Sequence, residues 1–336
     1  MNKYVIALSA VLAFAITALL GIWLVPLLRK IKFGQPINDV GPTWHKDKQG
    51  TPTMGGLMMI VGIVLAALVG GFVNKRWEIA NLEITPIPSH LISGLLMSVL
   101  LGFLGFIDDY TKISKKKNDG LSAMQKTIFQ LLIACCYLAS NYIIGDKSTA
   151  FFIPFIGSID LGLFYYPAMV FIIYATVNAV NITDGIDGLC TSVTFVAALG
   201  LLLISGILQY FEMSILASAL AGGCMGFLMW NFHPAKVFMG DTGSLFLGGI
   251  IVSLAFGVRM PAILLLVGIA YVIDAGSVVL QVLSFKLTGK RIFKMSPIHH
   301  SFEISGYSEE KIVLLFSVIT LLGCAGAVGA VLLRIS

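Results

Sequence analysis

The chain alternates between long apolar blocks and short polar connectors. The apolar blocks cover residues 4–28, 54–73, 90–107, 124–144, 165–180, 190–208, 213–230, 244–258, 261–285 and 311–334. About 20 apolar residues span the hydrocarbon core of a bilayer as a helix. Lipid satisfies no backbone hydrogen bonds, so only helices and closed barrels cross it, and continuous apolar runs of this length predict helices. We therefore expect an all-α integral membrane protein with about ten transmembrane helices, in a single polytopic domain over residues 1–336.

Composition agrees with this pattern. Hydrophobic residues make up 57% of the chain and charged residues only 12%, whereas soluble domains carry about 25% charged residues. The net charge of +5 does not require a nucleic-acid partner, because a lysine and arginine excess in a membrane protein is mainly a topology signal.

The distribution of basic residues predicts the orientation. With ten spans, alternate loops lie on the same side of the membrane, and 16 of the 22 lysines and arginines fall on one side. The positive-inside rule places that side in the cytoplasm and both termini outside. On the outer side, residues 145–164 show weak polar alternation and turn glycines, so we expect a short β-hairpin there.

Acidic and amide side chains gather in three segments on the predicted cytoplasmic side. The segments read GFLGFIDDY, NAVNITDGIDG and NFHPAKVFMGDTGS, and their polar residues are Asp108, Asp109, Asn181, Asp184, Asp187, Asn231, His233 and Asp241. A helical arrangement of the second segment would put Asn181, Asp184 and Asp187 near one face. Each segment alone is also compatible with solvated carboxylates and turn-forming Asn/Asp–Gly pairs. All three together contain more acids than turns require.

These groups suit a hard cation and a phosphate. Mg²⁺ prefers carboxylate oxygens, keeps several waters and often bridges substrate phosphates. Lys48 and Lys126 lie on the same predicted side of the membrane and can neutralise phosphate oxygens. GDTGS opens the eighth span with backbone N–H groups available to an anion. The diphosphate-metal motif DDxxD of prenyl transferases is incomplete, since DDYTK ends in lysine. The pattern favours magnesium-assisted phosphoryl transfer at a membrane surface.

The last cytoplasmic loop, about 286–310, contains KMSPIHHSFEISGYSEEK. His299 and His300 beside Glu303 suit a phosphate, a carboxylate or a sugar, although an ordinary polar loop remains the alternative. Zinc is disfavoured, because no spaced ligand set accompanies the two adjacent histidines. Asp274 lies inside the ninth block, where an ionisable group either has a structural partner or marks function, and Gln281 is a candidate for a nucleotide pocket.

Together these segments resemble the MraY family, the phospho-N-acetylmuramoyl-pentapeptide transferases of bacterial cell-wall synthesis. The matching stretches are GTPTMGG (50–56), GFIDDY (105–110), NAVNITDGIDGL (178–189), NFHPAKVFMGDTGS (231–244) and MSPIHHSFE (295–303). They extend over nearly the whole chain. The aspartate motifs are shared with the wider superfamily of polyprenyl-phosphate sugar-1-phosphate transferases, whereas GTPTMGG with SPIHHxFE is typical of this branch.

The resemblance implies a reaction in the bacterial inner membrane between UDP-MurNAc-pentapeptide and undecaprenyl phosphate. The products would be UMP and undecaprenyl-diphospho-MurNAc-pentapeptide, with Mg²⁺ as the cofactor, and the family is compatible with a homodimer. Carried over by motif, Asp241 is the expected metal ligand, Asp108 and Asp109 lie near the lipid phosphate, and His299 and His300 are further catalytic candidates. The residues expected around the nucleotide and diphosphate are Lys48, Lys126, Asn181, Asp184, Asp187, Asn231, Phe238 and Gln281.

One position departs from the family pattern of three consecutive histidines, because the third is Ser301. A serine still offers a hydrogen bond, so we expect function to be retained and Ser301→His to be tolerated. Two alternative functions remain open at this point. One is a sister transferase that uses UDP-N-acetylglucosamine, and the other is a secondary transporter or ion channel with intramembrane acids along its path.

Overall fold

A computed structural model of the protein describes residues 3–31, 50–80, 89–115 and 120–335, and of residues 78–80 it describes the backbone alone. Within these ranges, ten helices are long and apolar enough to cross a membrane. They are α1 (Lys3–Lys30), α2 (Gly56–Ala80), α3 (Ser89–Lys115), α4 (Ala123–Ile144), α5 (Tyr165–Ile182), α6 (Leu189–Ile207), α7 (Phe211–Asn231), α8 (Gly240–Gly257), α10 (Ile269–Thr288) and α12 (Glu309–Ile335). The prediction of an all-α integral membrane protein is confirmed.

Helix α8 forms the centre of the bundle, and every residue from Thr242 to Gly257 is buried. It packs most closely against α3, where small residues let the two backbones approach. The hydroxyl of Ser253 on α8 donates to the carbonyl of Gly94 on α3 at 3.0 Å. By contrast, α1, α4, α5 and α10 are less than a third buried along their apolar stretches, as expected of helices that face lipid.

The ninth apolar block differs from its prediction. Instead of one helix over 261–285, the chain forms a 3₁₀ turn at Pro261–Ile263, the short helix α9 (Leu264–Val267), and then α10. The break falls at Gly268, a residue type that weakens a helix interior. The adjoining loop also contains a helix that was not predicted, α11 (Ile298–Ile304).

A two-stranded antiparallel sheet lies in the segment for which the sequence predicts a hairpin. Strand β1 (Ala150–Ile153) pairs with β2 (Gly157–Asp160), with Ala150 opposite Asp160 and Ile153 opposite Gly157. The hairpin follows the C-terminal end of α4, whereas the acidic motifs lie at the opposite end of the bundle, which we call the carboxylate end. There α3 and α5 finish and α4 and α8 begin, so four helix termini converge on one site.

Candidate active site

Three aspartates form a compact group that we call the carboxylate centre. It consists of Asp108 and Asp109 near the end of α3 and Asp241 in the first turn of α8, and their carboxylate oxygens lie within 4.8 Å of one another. Asp108 and Asp109 have no exposed surface, whereas the Asp241 side chain is 18% exposed. Burying three like charges is unfavourable unless cations compensate them.

Two lysines supply that compensation. Lys112 Nζ lies 2.7 Å from Asp108 Oδ2 and 3.1 Å from Asp241 Oδ2. Lys126 Nζ, from the first turn of α4, lies 2.8 Å from each of the same two oxygens. Both ammonium groups therefore bridge α3 and α8. The backbone N–H of Leu121 donates to the other oxygen of Asp108 at 2.7 Å, which fixes this carboxylate from a third side.

Asp109 holds the start of α8. Its Oδ1 accepts from the Asp241 N–H at 3.2 Å, and its Oδ2 accepts from the Thr242 N–H at 2.9 Å. The first backbone N–H groups of a helix have no partner within the helix and carry a partial positive charge, so a carboxylate stabilises them. Gly240 permits this contact: its φ is +70°, and a Cβ there would lie 2.5 Å from Asp109 Oδ2.

Asn181 and Asp184 approach the centre from the C-terminal end of α5. The Asn181 amide donates to Asp241 Oδ1 at 2.9 Å and to the hydroxyl of Ser244 at 2.7 Å, which orients Asp241. Asp184 lies in the loop after α5, and burial, together with the charges of Asp241, Asp109 and Asp187, raises the pKa of Asp184 well above 3.8. The loop thus places beside the carboxylate centre an acid whose ionisation is disfavoured.

Asp187 belongs to a second group of possible ligands. Its Oδ2 lies 3.0 Å from His233 Nδ1 and accepts from the Ala235 N–H at 2.9 Å. Its own N–H donates to Glu309 at the start of α12 at 2.9 Å. Asn181, Asp184 and Asp187 do not share one helix face as the three-residue spacing suggested, because α5 ends at Ile182 and the chain then turns.

Asn231 and Phe238 bracket the loop between α7 and α8. Asn231 is buried, accepts from the Thr191 hydroxyl at 2.9 Å and donates to the Val237 carbonyl at 3.0 Å. The Phe238 backbone pairs with the glycine-rich segment: its N–H donates to Pro52 and its carbonyl accepts from Gly55, both at 2.8 Å. Its ring is partly exposed. The two loop motifs therefore support each other beside the carboxylate centre.

Two side chains of α10 hydrogen-bond to the segment between α10 and α12. Asp274 Oδ2 lies 2.7 Å from His299 Nδ1, and both side chains are fully buried. Two turns further along α10, the Gln281 amide accepts from the N–H groups of Ile292 and Phe293 and donates to the Phe293 carbonyl. Asp274, for which the sequence left structural and functional roles open, thus has a defined partner in the histidine motif.

The other residues of the histidine motif also have partners. His300 Nδ1 lies 2.5 Å from Glu303 Oε2. The Ser301 hydroxyl donates to the Met295 carbonyl at 2.6 Å and accepts from the Met295 N–H at 3.0 Å. Ser301 therefore closes the turn that precedes α11.

The structure brings together the predicted residues Asp108, Asp109, Asp241, Lys126 and Asn181. Lys48 lies outside the described residues. Sequence reasoning missed Lys112, although its position four residues after Asp108 on one helix face is a signal for an ion pair. It also missed the contact between Asp274 and His299, which lie 25 residues apart.

The carboxylate centre has the chemistry of a divalent metal site. Its donors are hard oxygens, which Mg²⁺ prefers. Asp108 Oδ2 is buried and accepts no hydrogen bond of normal geometry despite its close ion pairs. Two ammonium groups lie between the carboxylates where positive charge is needed. The three aspartates therefore fit a magnesium ion.

Comparisons with known proteins find extensive similarity to one enzyme family. Residues 91–259 match the model of "Glycosyl transferase family 4". The chain is 48% identical over 322 residues to the phospho-N-acetylmuramoyl-pentapeptide-transferase of Clostridium perfringens strain SM101, covering 95% of this chain and 94% of the relative. It is 42% identical over 323 residues to the enzyme of that name from Halalkalibacterium halodurans, covering 96% of each chain.

A third relative, from Acetivibrio thermocellus, carries the same name and is 44% identical over 319 residues, which cover 94% of this chain and 92% of the relative. Similarity of this extent decides against the transporter alternative, since the relatives are transferases. The chain belongs to the phospho-N-acetylmuramoyl-pentapeptide-transferase family and is a membrane phosphoglycosyl transferase.

Proposed function

We propose that this enzyme transfers phospho-MurNAc-pentapeptide from UDP-MurNAc-pentapeptide to undecaprenyl phosphate. The products are UMP and undecaprenyl-diphospho-MurNAc-pentapeptide, known as lipid I. The observation that carries the proposal is the carboxylate centre with its two bridging lysines, in a chain 44–48% identical to transferases of that name. A buried set of charges at one end of an apolar bundle suits a reaction between a water-soluble nucleotide and a membrane lipid.

Magnesium is the proposed cofactor, held by Asp241 with Asp108 and Asp109 beside it. Bound there, the ion would neutralise the diphosphate and stabilise charge that develops on the leaving UMP. Asn181 supports this assignment, because its amide occupies Oδ1 of Asp241 and leaves Oδ2 directed at the lysines. Asp109 acts by anchoring the start of α8 and hence the position of Asp241.

The lysines are proposed to bind the phosphates. Lys112 and Lys126 have their ammonium groups at the centre, and ammonium groups bind phosphate oxygens as point charges. Lys48 is assigned the same role from the sequence motif. When substrate enters, these cations can exchange carboxylate partners for phosphate oxygens, and a magnesium ion held by the three aspartates would balance the charge of the carboxylates.

We propose direct attack without a covalent enzyme intermediate. An oxygen of the lipid phosphate forms a bond to the β-phosphorus of the sugar nucleotide, and the bond from that phosphorus to the bridging oxygen of UMP breaks. The lipid phosphate is already ionised near neutral pH, so no protein base has to remove a proton. Asp108 is therefore assigned a positioning role through Lys112 and Lys126.

The carboxylate end is proposed to face the cytoplasm of a bacterial cell. By the topology that the sequence predicts, 16 of the 22 basic residues belong to this side of the membrane, which the positive-inside rule places in the cytoplasm. UDP-linked sugars are water-soluble, so the active site must open to the compartment that supplies them. The remaining expected nucleotide contacts are Asp184, Asp187, Asn231, Phe238 and Gln281, of which Phe238 offers an aromatic face for uracil.

The test is UMP release from UDP-MurNAc-pentapeptide and undecaprenyl phosphate by the purified enzyme, with and without Mg²⁺. We expect metal-dependent turnover, and a loss of at least about a hundredfold in Asp241→Ala, as for removal of a charge that stabilises the transition state. Asp160→Ala, in the hairpin at the opposite end of the bundle, is the matched control and should retain turnover. Unchanged turnover in Asp241→Ala would refute the metal assignment.

The same assay separates the sister reaction. UDP-N-acetylglucosamine is offered in place of UDP-MurNAc-pentapeptide at equal concentration. The proposal requires turnover with the peptide-bearing nucleotide and little with the simple sugar nucleotide. The reverse preference would identify the chain as a transferase for N-acetylglucosamine phosphate.

A further inference from the structure

The buried pair of Asp274 and His299 fixes the state of one imidazole. Asp274 Oδ2 lies 2.7 Å from His299 Nδ1, and its Oδ1 accepts from the His299 backbone N–H at 3.3 Å. A carboxylate only accepts hydrogen bonds, so Nδ1 carries the hydrogen. In the neutral ring, the other nitrogen, Nε2, is then an acceptor.

This acceptor has no partner among the residues that the structure describes. His299 Nε2 is buried and makes no hydrogen bond to them. It points at Gly185 in the loop that carries Asp184, so closely that a Cβ at Gly185 would overlap Nε2. Gly185 itself is exposed, so the ring nitrogen lies against a backbone segment that reaches the protein surface.

An unpartnered polar atom of this kind indicates a ligand. Leaving a buried acceptor without a hydrogen bond is unfavourable, and such atoms in native proteins call for an explanation. If the contact between Asp274 and His299 served stability alone, there would be no reason for Nε2 to face the loop that carries Asp184, beside the carboxylate centre. In the neutral ring Nε2 accepts, so its partner in that state is an N–H or O–H group.

We propose that Asp274 is a positioning residue of the transferase, which holds His299 so that Nε2 accepts a hydrogen bond from a hydroxyl or amide group of the bound sugar nucleotide. The proposal rests on the proposed function and deepens it. Asp274 touches no substrate and acts through the imidazole. This arrangement also requires Gly185, because the side chain of any larger residue there would displace the His299 ring.

Two substitutions of His299 separate the two ring nitrogens. His299→Asn retains a side-chain N–H near the Nδ1 position, which can still donate to Asp274, but has no atom at Nε2. His299→Gln reaches the Nε2 position and gives up the Asp274 contact. For His299→Asn we expect an unfolding temperature close to wild type and a ten- to hundredfold lower kcat/KM. Because the lost contact is to the nucleotide, KM for UDP-MurNAc-pentapeptide should rise, whereas KM for undecaprenyl phosphate should not change.

The role of Asp274 is tested by a double-mutant cycle. Asp274→Asn presents an amide that cannot accept from both the Nδ1–H and the backbone N–H of His299, so it disturbs the tautomer or the ring position. It should lower kcat/KM ten- to hundredfold in the wild-type background and less than about twofold in His299→Asn, because residues that act through one atom are not additive. Fully additive losses would overturn the proposal.

Gly185→Ala provides an independent cycle. The new methyl group would displace the imidazole of the wild type, but in the His299→Asn background the shorter side chain leaves that space free. We expect a loss of kcat/KM in the wild type that is largely absent in the His299→Asn background. Equal losses in both backgrounds would contradict a role of Nε2.

Direct binding gives a readout that does not depend on turnover. Calorimetric titration with UDP-MurNAc-pentapeptide should give a dissociation constant ten- to hundredfold larger for His299→Asn than for wild type. The dissociation constant of His299→Gln should be intermediate. If the wild type releases UMP but His299→Asn binds and turns over the nucleotide normally, this inference fails while the proposed function stands. If the wild type releases no UMP with this substrate pair, the proposed function itself fails.

Discussion

The carboxylate of Asp109 accepts two hydrogen bonds from Thr242, one from the backbone N–H at 2.9 Å and one from the side-chain hydroxyl at 2.7 Å. Both residues are fully buried. Because Thr242 directly follows Asp241, this contact sets where the first turn of α8 begins and therefore where the Asp241 carboxylate lies. Asp109, a catalytic candidate by its motif, therefore also stabilises the N-terminal end of the helix that carries Asp241.

Thr242→Val should destabilise the protein by about 1.5–3 kcal/mol, the usual contribution of a hydrogen bond to a charged group. Valine has the shape of threonine, so the loss isolates the hydroxyl. Thr242→Ser retains the hydroxyl and is the matched control. Thermal unfolding in detergent, followed by circular dichroism, measures the difference. Equal stability of the valine and serine variants would show that the hydroxyl contributes nothing.

Gly240→Ala should both destabilise the protein and lower turnover. An alanine at φ +70° costs about 1–2 kcal/mol in backbone strain, and its Cβ would lie 2.5 Å from Asp109 Oδ2 and 2.7 Å from Thr53 Oγ1. The two clashes push Asp109 away from α8. Gly326→Ala in α12 is the control, since nothing lies within 4 Å of a Cβ there. A normal unfolding temperature and UMP release in Gly240→Ala would contradict this account.

The helices could be predicted well because lipid imposes a simple rule. Ten apolar blocks became ten membrane-length helices, and GDTGS opens α8 as expected. The rule fails where the chain departs from a straight span: block 261–285 breaks at Gly268, and neither its apolar residues nor their periodicity distinguishes a broken helix from a continuous one.

The site could be predicted in part for a related reason. Short loops force Asp108, Asp109 and Asp241 to one end of the bundle, so sidedness alone brings them near one another. The contact between Asp274 and His299 depends on how the last loop folds back onto α10, and no local pattern encodes that. Lys112 is different, since its position four residues after Asp108 on one helix face predicts an ion pair from the sequence alone.

Lys112→Met should lower turnover at least about tenfold and lower stability without Mg²⁺. Removing one partner of a buried ion pair costs about 3–5 kcal/mol, because the remaining charge is left uncompensated. Of the two lysines that pair with Asp108 and Asp241 among the residues the structure describes, the substitution leaves only Lys126. Lys115→Met, on the exposed last turn of α3, controls for general charge loss. Added Mg²⁺ should restore more stability to Lys112→Met than to wild type, and an equal gain would contradict the electrostatic explanation.

Asp184→Asn should stabilise the metal-free protein increasingly as pH rises. Burial and neighbouring carboxylates raise the pKa of Asp184 well above 3.8, so the folded state binds a proton that the unfolded state has released. Stability of the wild type therefore falls as pH rises from 3.8 towards the folded pKa. Asparagine removes this dependence. Thermal unfolding in EDTA between about pH 5 and pH 8 measures it.

Asp160 provides the control for this pH effect. Hydrogen bonds from the Thr149 hydroxyl and the Gly162 N–H lower the pKa of Asp160, so Asp160→Asn should not reproduce the stabilisation. If wild type and Asp184→Asn have parallel stability curves over the whole pH range, Asp184 is not the source of the pH dependence.

Ser301→His should be tolerated, with UMP release close to that of wild type. Ser301 both donates to and accepts from the backbone of Met295, and a neutral imidazole also offers one donor and one acceptor. Ser301→Ala loses both contacts, so it should lower activity more than Ser301→His does. A large loss in Ser301→His with normal activity in Ser301→Ala would mean that space at this turn, and not hydrogen bonding, decides which residue the loop accepts.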